Sequence, residues 1–515
     1  MVGLDLQVSL FISIQFCPKI LKNFKTQSTS NVMKTKTFKW NLNLCFILVG
    51  LVFFGCSTNE WIVLFDGKTL DGWKVSGNES SWQITDNVLV AKGAESYLFY
   101  DGEISKHDFK NFVFSVDVKT ENNSTSSIYF HTGYLEKGLP QKGYECEADN
   151  SSPVDSVPDW VKTGSLTDVR NLSRSPVNDG EWFNYRIIVR GKTIGTYIND
   201  QLIVDYTEPE NPFRIESEKE RKLSSGTFAL RCSDSTGTVY FKNIKVRPLP
   251  DNEKTPGEPV ADIEFENKLI QHIGKHLPLI DFHVHLKNGL TMEEALENAR
   301  KYGFTYGIAF NCGLKMGFEK EDTLQNFIST YKRPEQTFFA MQAEGREWVN
   351  MFPEKVIKQF DYVFTDAMTW TNDNGKRMRL WIPEETEVGD PENFMDQLVD
   401  RIVKLISEEP IDIYVNATYL PDEINSKYDI LWTDRRMDKV IKALADKKVA
   451  MEISARYKIP NAKFIKRAKD AGVKFTFGTN DTGPNDLGRL EYCIKMADEC
   501  GLTGKDFWYP GLQRK

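Results

Sequence analysis

Histidine is scarce in this chain, six residues in 515, and positive charge is in deficit: 65 Lys and Arg against 73 Asp and Glu leave a formal net charge of −8. Such a balance provides no basic stripe for a phosphate backbone and argues against a nucleic-acid partner. Eight cysteines, at 17, 45, 56, 146, 232, 312, 493 and 500, form no C-x-x-C pair and make no disulfide framework; Cys312 and Cys493 read as buried apolar fillers. The apolar run Leu44 to Phe54 is too short to span a bilayer comfortably. What is present, 40% apolar and 27% charged residues over a length that allows two or three domains, is the composition of a globular protein.

The N-terminal pattern concerns location. Met33-Lys-Thr-Lys-Thr-Phe-Lys is a positive segment, Leu44 to Phe54 an apolar one, and Gly55-Cys56-Ser57 closes it, as in a bacterial secretory signal. The run L-V-F-F-G-C resembles a lipoprotein box. The resemblance implies that residues 33–56 are a signal, that Cys56 is the acylated mature N-terminus, and that the chain is lipid-anchored in the bacterial cell envelope. Residues 1–32 have no coherent pattern and are expected to precede the true start at Met33.

Between 60 and 249, short runs of period two rich in Val, Ile, Phe, Tyr and Trp alternate with Gly, Asn, Asp and Ser turns, for example 111–119, 126–131, 184–190 and 238–246. Ten or so such strands without helices predict an all-β sandwich or jelly roll. Strand alternation puts Glu145 and Glu147 on one face and Tyr129 and His131 on one face of a neighbouring strand. Acids, a phenol and an imidazole on a concave sheet suit binding sugar hydroxyls or exchanging protons with them.

F-D-G-K-T-L-D-G-W (Phe65 to Trp73), G-Y-E-C-E-A-D-N (Gly143 to Asn150), T-G-S-L (Thr163 to Leu166), W-F-N-Y-R-I and V-Y-F-K-N-I-K-V-R-P together resemble the 3-keto-disaccharide hydrolase domain, a concanavalin-like fold. The resemblance covers essentially all of 60–249. It implies a carbohydrate substrate whose ketone acidifies the hydrogen on C2 and lets the glycosidic oxygen leave by elimination, with Glu145, Glu147 and His131 as catalytic candidates. The plain alternative is a solvated glutamate pair on a sugar-binding module.

Pro248 to Val260 is proline-rich and charged, so 250–262 reads as an exposed linker. Helical spacing follows, with His272 and His276 one turn apart but no acid spaced to join them. From 279 onward β-rich runs alternate with amphipathic stretches, at 279–285, 305–311, 338–344, 361–366, 411–416, 448–453 and 473–479. Seven βα units predict one closed barrel over 263–515, with chemistry where strands end. Helices are expected after Thr291 as N-cap and over 394–409. The strand ends read Asp281, His283 and His285, then Asn311, Glu344, Asp366, Asn416, Glu452, and Asn480 with Asp481.

L-I-D-F-H-V-H-L at 279–286, Glu344 and the closing G-T-N-D-T-G resemble the PHP family, named for polymerase and histidinol phosphatase. This resemblance implies a distorted (β/α)7 barrel with a divalent metal ion, Mn, Fe or Zn, held by His283, His285, Glu344, Asp366 and Asp481. No histidine follows His285: Asp366 and Asn416 stand where two of the family's later histidines are expected, and Thr482 or Gly483 where a third would be. A metal-free barrel is therefore the competing expectation. Arg346, Asn416, Glu452 and Arg456 are the substrate-binding candidates, with Arg377, Arg379, Trp370 and Trp381 nearby, a set suited to an anion or to a sugar ring stacked on indole.

The expected whole is a multidomain chain, a concanavalin-like jelly-roll sandwich followed by an α/β distorted barrel, acting as an exported glycan-processing hydrolase. The alternatives are a phosphoesterase barrel with a sugar-binding sandwich, or a non-catalytic carbohydrate-binding lipoprotein.

Overall fold

The computed structural model describes residues 60–151, 160–233, 237–372 and 374–510. The signal segment and Cys56 lie outside the described residues. Among the described residues, no helix is long and apolar enough to cross a membrane.

The first half is an antiparallel β-sandwich. One sheet of eight strands runs in the order 201–207, 193–198, 183–190, 112–120, 239–248, 88–91, 82–85, with Ile62–Val63 also paired to the 239–248 strand. The other has five, in the order 73–77, 96–100, 227–232, 125–132, 144–149. Period two decides which side chains meet: along Phe183–Arg190 the residues Phe183, Tyr185, Ile187 and Val189 are buried in the shared core, and those between them are half-exposed. Asp86-Asn87 and Asn199-Asp200 turn two hairpins with positive φ at both positions (52° and 62°, 47° and 67°), the type I′ geometry that matches strand twist.

The second half is a barrel of seven parallel strands, Ile280–Val284, Thr305–Gly313, Phe338–Glu344, Tyr362–Thr365, Ile413–Tyr414, Ala450–Ser454 and Phe475–Gly478, each paired with its neighbour in chain order. Five predicted runs contain their strands whole, and the strands at 305–313 and 450–454 run one or two residues past the predicted ends. Helix Met292–Tyr302 has the expected Thr291 cap, completed by Glu294 as a capping box. The helix expected over 394–409 begins earlier, at Pro391, because Asp390 caps it by accepting from the Asn393 amide.

No ladder joins the first and last strands, and carboxylates tie the seam instead. Asp281 accepts from the amide and hydroxyl of Thr479 (2.9 and 2.7 Å), Asp481 Oδ1 accepts from the His285 amide (2.6 Å), and the Asn480 amide reaches the His283 carbonyl (2.9 Å).

The two halves interlock. Trp160 of the sandwich is part of the barrel's apolar core, edge-on to Tyr509, while Ile270 of helix Ile263–Ile273 is part of the sandwich's. Arg170 is fully buried, donating to Glu266 Oε1 (2.8 Å) and the Lys301 carbonyl (2.6 Å), and stacked on Tyr206. Much of the expected linker is not free: Asn111 donates to the Pro250 carbonyl (2.9 Å), and the Lys192 and Gly257 amides bond Thr255 and Thr193 (3.0 and 3.2 Å). Proline density marked a segment without regular structure, but its polar groups found partners on the sandwich edge.

Candidate functional site

The barrel gathers its polar strand ends at one mouth. On the first strand, His283 Nδ1 lies 2.7 Å from Glu452 Oε1, and its Nε2 lies 3.3 Å from Gln342 Oε1. Gly478 permits this approach, since a Cβ there would sit 2.0 Å from Glu452 Oε1. Burial pushes Glu452 up to about 8 and His283 down to about 3. Both groups are thereby pushed toward their neutral forms, with one hydrogen bridging Oε1 and Nδ1. Glu452 Oε2 accepts from the Asn416 amide at 2.7 Å.

His285 hydrogen-bonds the Gln342 side chain and the Ala309 backbone; burial, then the neighbouring His283, holds it well below the usual imidazole range. Gln342 Nε2 in turn donates to Glu344 Oε1 (2.8 Å). Burial and then the charge of Asp366 raise Glu344 to about 8. Burial also raises Asp366, whose oxygens accept from the Met368 amide and from Asn416 Nδ2, both at 2.9 Å. Asn480 Nδ2 closes the chain on Asn416 Oδ1 (3.2 Å). These groups surround a cavity of about 170 Å³, whose rim adds Lys287, Trp381, Arg456 and Tyr457.

The donor set does not fit a divalent cation. His283, His285 and Glu344 converge, but on the amide of Gln342, which bonds all three. A ligating histidine needs a lone pair facing the ion, and with Nδ1 on Glu452 the remaining nitrogen of His283, Nε2, is taken up by Gln342. Asp481 is absent from the cavity lining and tied to the His285 amide at the seam. Among the described residues, no group of three His, Cys, Asp or Glu side chains is placed to hold a metal ion. The expectation of Mn, Fe or Zn on His283, His285, Glu344, Asp366 and Asp481 thus meets no ready-made cation site among the described residues.

Of the substrate-binding candidates, Asn416 and Arg456 line the cavity and Glu452 supports it from behind. Arg346 does not: it pairs with Glu408 and Glu409, each at 3.1 Å. Arg377 is held by Glu347 (2.7 Å) and Arg379 by Glu385. Trp370 is buried beneath Arg401, whereas Trp381 reaches the rim. His272 is a buried packing residue that meets the Pro278 carbonyl (3.1 Å).

A second polar cluster lies on the outer face of the five-stranded sheet. Glu145 accepts from the Tyr129 hydroxyl and from Arg221 Nη2, both at 2.7 Å, and Arg231 Nη1 stands 3.8 Å away. Glu147 accepts from Ser127 (3.3 Å). Despite their outward face these acids are only 5% and 8% exposed. The loop through Thr163 to Thr167 is hydrogen-bonded along the edge of their strand, with Gly164 and Thr167 amides donating to the Glu147 and Glu145 carbonyls (3.1 and 2.9 Å). Arg231 is a quarter exposed and bonds Glu95 Oε1 (3.2 Å) at the opening.

The structure does not bring His131 to this cluster. Thr227 pairs with Thr132 but Ala229 with Tyr129, so a bulge interrupts the alternation, and His131 takes a φ of 56°. Its ring turns inward against Phe112 and Phe130, Nε2 donating to the Lys110 carbonyl (2.9 Å) and Nδ1 accepting from the Ser224 amide (3.2 Å). Burial lowers it to about 4, so the ring is neutral, with its one N–H and its lone pair both committed.

Residue reasoning missed Gln342, Arg221 and Arg231. Gln342 had a signal, a polar side chain two before Glu344 on the apolar strand F-F-A-M-Q-A-E, and so did Arg231, the lone charge in T-F-A-L-R-C. Arg221 lies in a loop and had none.

The model of a family described as the 3-keto-alpha-glucoside-1,2-lyase-like domain matches residues 60–247. The chain is 32% identical over 234 residues to a 3-keto-disaccharide hydrolase of Bacteroides thetaiotaomicron, an alignment covering 37% of this chain and 78% of that protein. Among solved structures, a candidate glycosyl hydrolase of Parabacteroides distasonis is 23% identical, with a TM-score of 0.32, covering 37% of this chain and 94% of that one. A histidinol phosphate phosphatase of Lactococcus lactis is 12% identical with a TM-score of 0.33, covering 45% and 100%.

Proposed function

Since the chain belongs to the 3-keto-alpha-glucoside-1,2-lyase-like family, we propose that its sandwich is a hydrolase domain acting on carbohydrate glycosides oxidised at C3. The observation that carries the reading is the Glu145, Glu147, Tyr129, Arg221 and Arg231 cluster, lying within the matched residues. Both oxygens of Glu145 are engaged, by Tyr129 and Arg221, so its role is to fix the site. Glu147 is the base. It takes the C2 proton, the electrons pass into the C2–C3 bond and onto the ketone oxygen, and Arg231 stabilises that oxyanion. Return of the electrons forms the C1–C2 double bond and expels the glycosidic oxygen, which takes up a proton. Addition of water across the new double bond completes hydrolysis.

No step of this scheme uses a cation at the barrel mouth. The whole chain assayed on a 3-keto-glucoside should lose about a hundredfold or more of its rate as Glu147→Gln, the scale of a missing general base. A rate within a few-fold of the parent sinks the assignment.

The pattern of residues 33–56 supports export and acylation at Cys56, with the enzyme anchored in the bacterial cell envelope. The protein made in a bacterium should partition into the detergent phase and Cys56→Ser into the aqueous phase; equal partition of the two rejects the anchor.

A further inference from the structure

We infer that the barrel mouth is a cation-independent binding site for a single sugar ring, with the Gln342 side chain filling the place a cation would take. Gln342 is bonded on both sides, its Oε1 3.3 Å from His283 Nε2 and its Nε2 2.8 Å from Glu344 Oε1. An ion at that point must expel the amide, break both bonds and leave a polar side chain without partners in a buried place. The two histidines thus hold Gln342, and His285 and Gln342 line the cavity together with other polar groups.

Those groups point to the ligand. The open space, about 170 Å³, is well below the roughly 300 Å³ at which drug-sized pockets begin and suits one ring rather than a chain. Its walls carry two carboxyl groups, Glu344 and Asp366, and two cationic side chains, Lys287 and Arg456. Burial raises both carboxyl groups, Glu344 to about 8, so they present O–H donors as well as acceptors beside the two cations. Sugar hydroxyls both donate and accept, and they match a lining that holds the carboxyl groups of Glu344 and Asp366 together with the amides of Asn311 and Asn480. Trp381 and Tyr457 add aromatic surface to the lining, suited to the C–H side of a ring. The reading stands on this cavity alone and is independent of cleavage by the sandwich.

The test uses the whole chain, purified through a chelator and titrated calorimetrically with D-glucose, D-galactose, D-mannose, orthophosphate and MnCl₂. At least one of the three sugars should bind without added metal, and Trp381→Ala and, separately, Asp366→Asn should each weaken it by about tenfold or more, with melting curves confirming that both fold. Mn²⁺ should bind Gln342→Ala, where His283, His285 and Glu344 are released to converge on an ion, and not the parent chain. Stoichiometric Mn²⁺ on the parent overturns the proposal. So do failure of all three sugars, sugar binding that survives both substitutions, orthophosphate bound in a manner abolished by them, or no gain of Mn²⁺ in Gln342→Ala.

Discussion

Glu452 and His283 share one proton across 2.7 Å of buried space, and this pair ties stability to pH. The carboxyl moves from its ordinary 4.5 to about 8 through burial. A raised acid favours the fold while protonated, so its contribution is complete below 4.5 and is lost as pH rises through 8. His283, lowered from 6.5 to about 3, has the opposite sense, losing stability as pH falls below 6.5. Between 6.5 and 8 the carboxyl decides, joined by Glu344, also raised to about 8. Glu452→Gln keeps a donor for Nδ1 and an acceptor for the Asn416 amide without a titrating proton. The parent's stability should therefore fall from about pH 6.5 to 8 and level off above that, and Glu452→Gln should flatten that decline by up to about 1.4 kcal/mol per pH unit; urea titrations at each pH check it. At this scale much of the mouth was legible, because polar residues ending apolar strands are conspicuous. The role of Gln342 was not, since an amide two residues from Glu344 looks like ordinary polarity until His283 and His285 are seen to close on it.

Among the elements, the segment through Thr163 to Arg170 connects the two halves. One end bonds the strand bearing Glu145 and Glu147, and the other sets Arg170 into the barrel against Glu266 and the Lys301 carbonyl. Arg170→Ala leaves the Glu266 carboxylate buried without its cation, a change that costs about 3–5 kcal/mol. Because the segment lies along the glutamate strand, the same variant should also slow 3-keto-glucoside cleavage; denaturant titration and a rate assay measure the two effects, and an unchanged rate detaches the barrel from the sandwich site. The T-G-S-L motif marked this segment in the sequence, yet nothing local showed that it carries an arginine into another domain. Bulges are equally hidden: Tyr129 and His131 read as one face, and the register shift opposite Thr227 and Ala229 separates them.

The molecule as a whole joins two folds by exchanging core residues, Trp160 into the barrel's core and Ile270 into the sandwich's. Arg174 adds a bond to the Thr337 carbonyl (2.6 Å) and stacks on Phe338. Such a shared boundary predicts one cooperative calorimetric transition for the whole chain, its enthalpy matching the van't Hoff value; two separable transitions would show that each half is stable without the other.

The sequence by itself determined both architectures, because period-two and βα patterning are set by which side chains must be buried in each strand and helix. It also determined the acids of the sandwich and the polar rim of the barrel, since those are properties of residue type and position along a strand. Only the tertiary structure decided where Arg170 and Arg221 are spent, how the seam between Asp281 and Thr479 is tied, and that an amide holds the centre of the barrel mouth. These depend on contacts between residues dozens to hundreds apart in the chain, and no local pattern encodes which of two buried polar groups will meet a third.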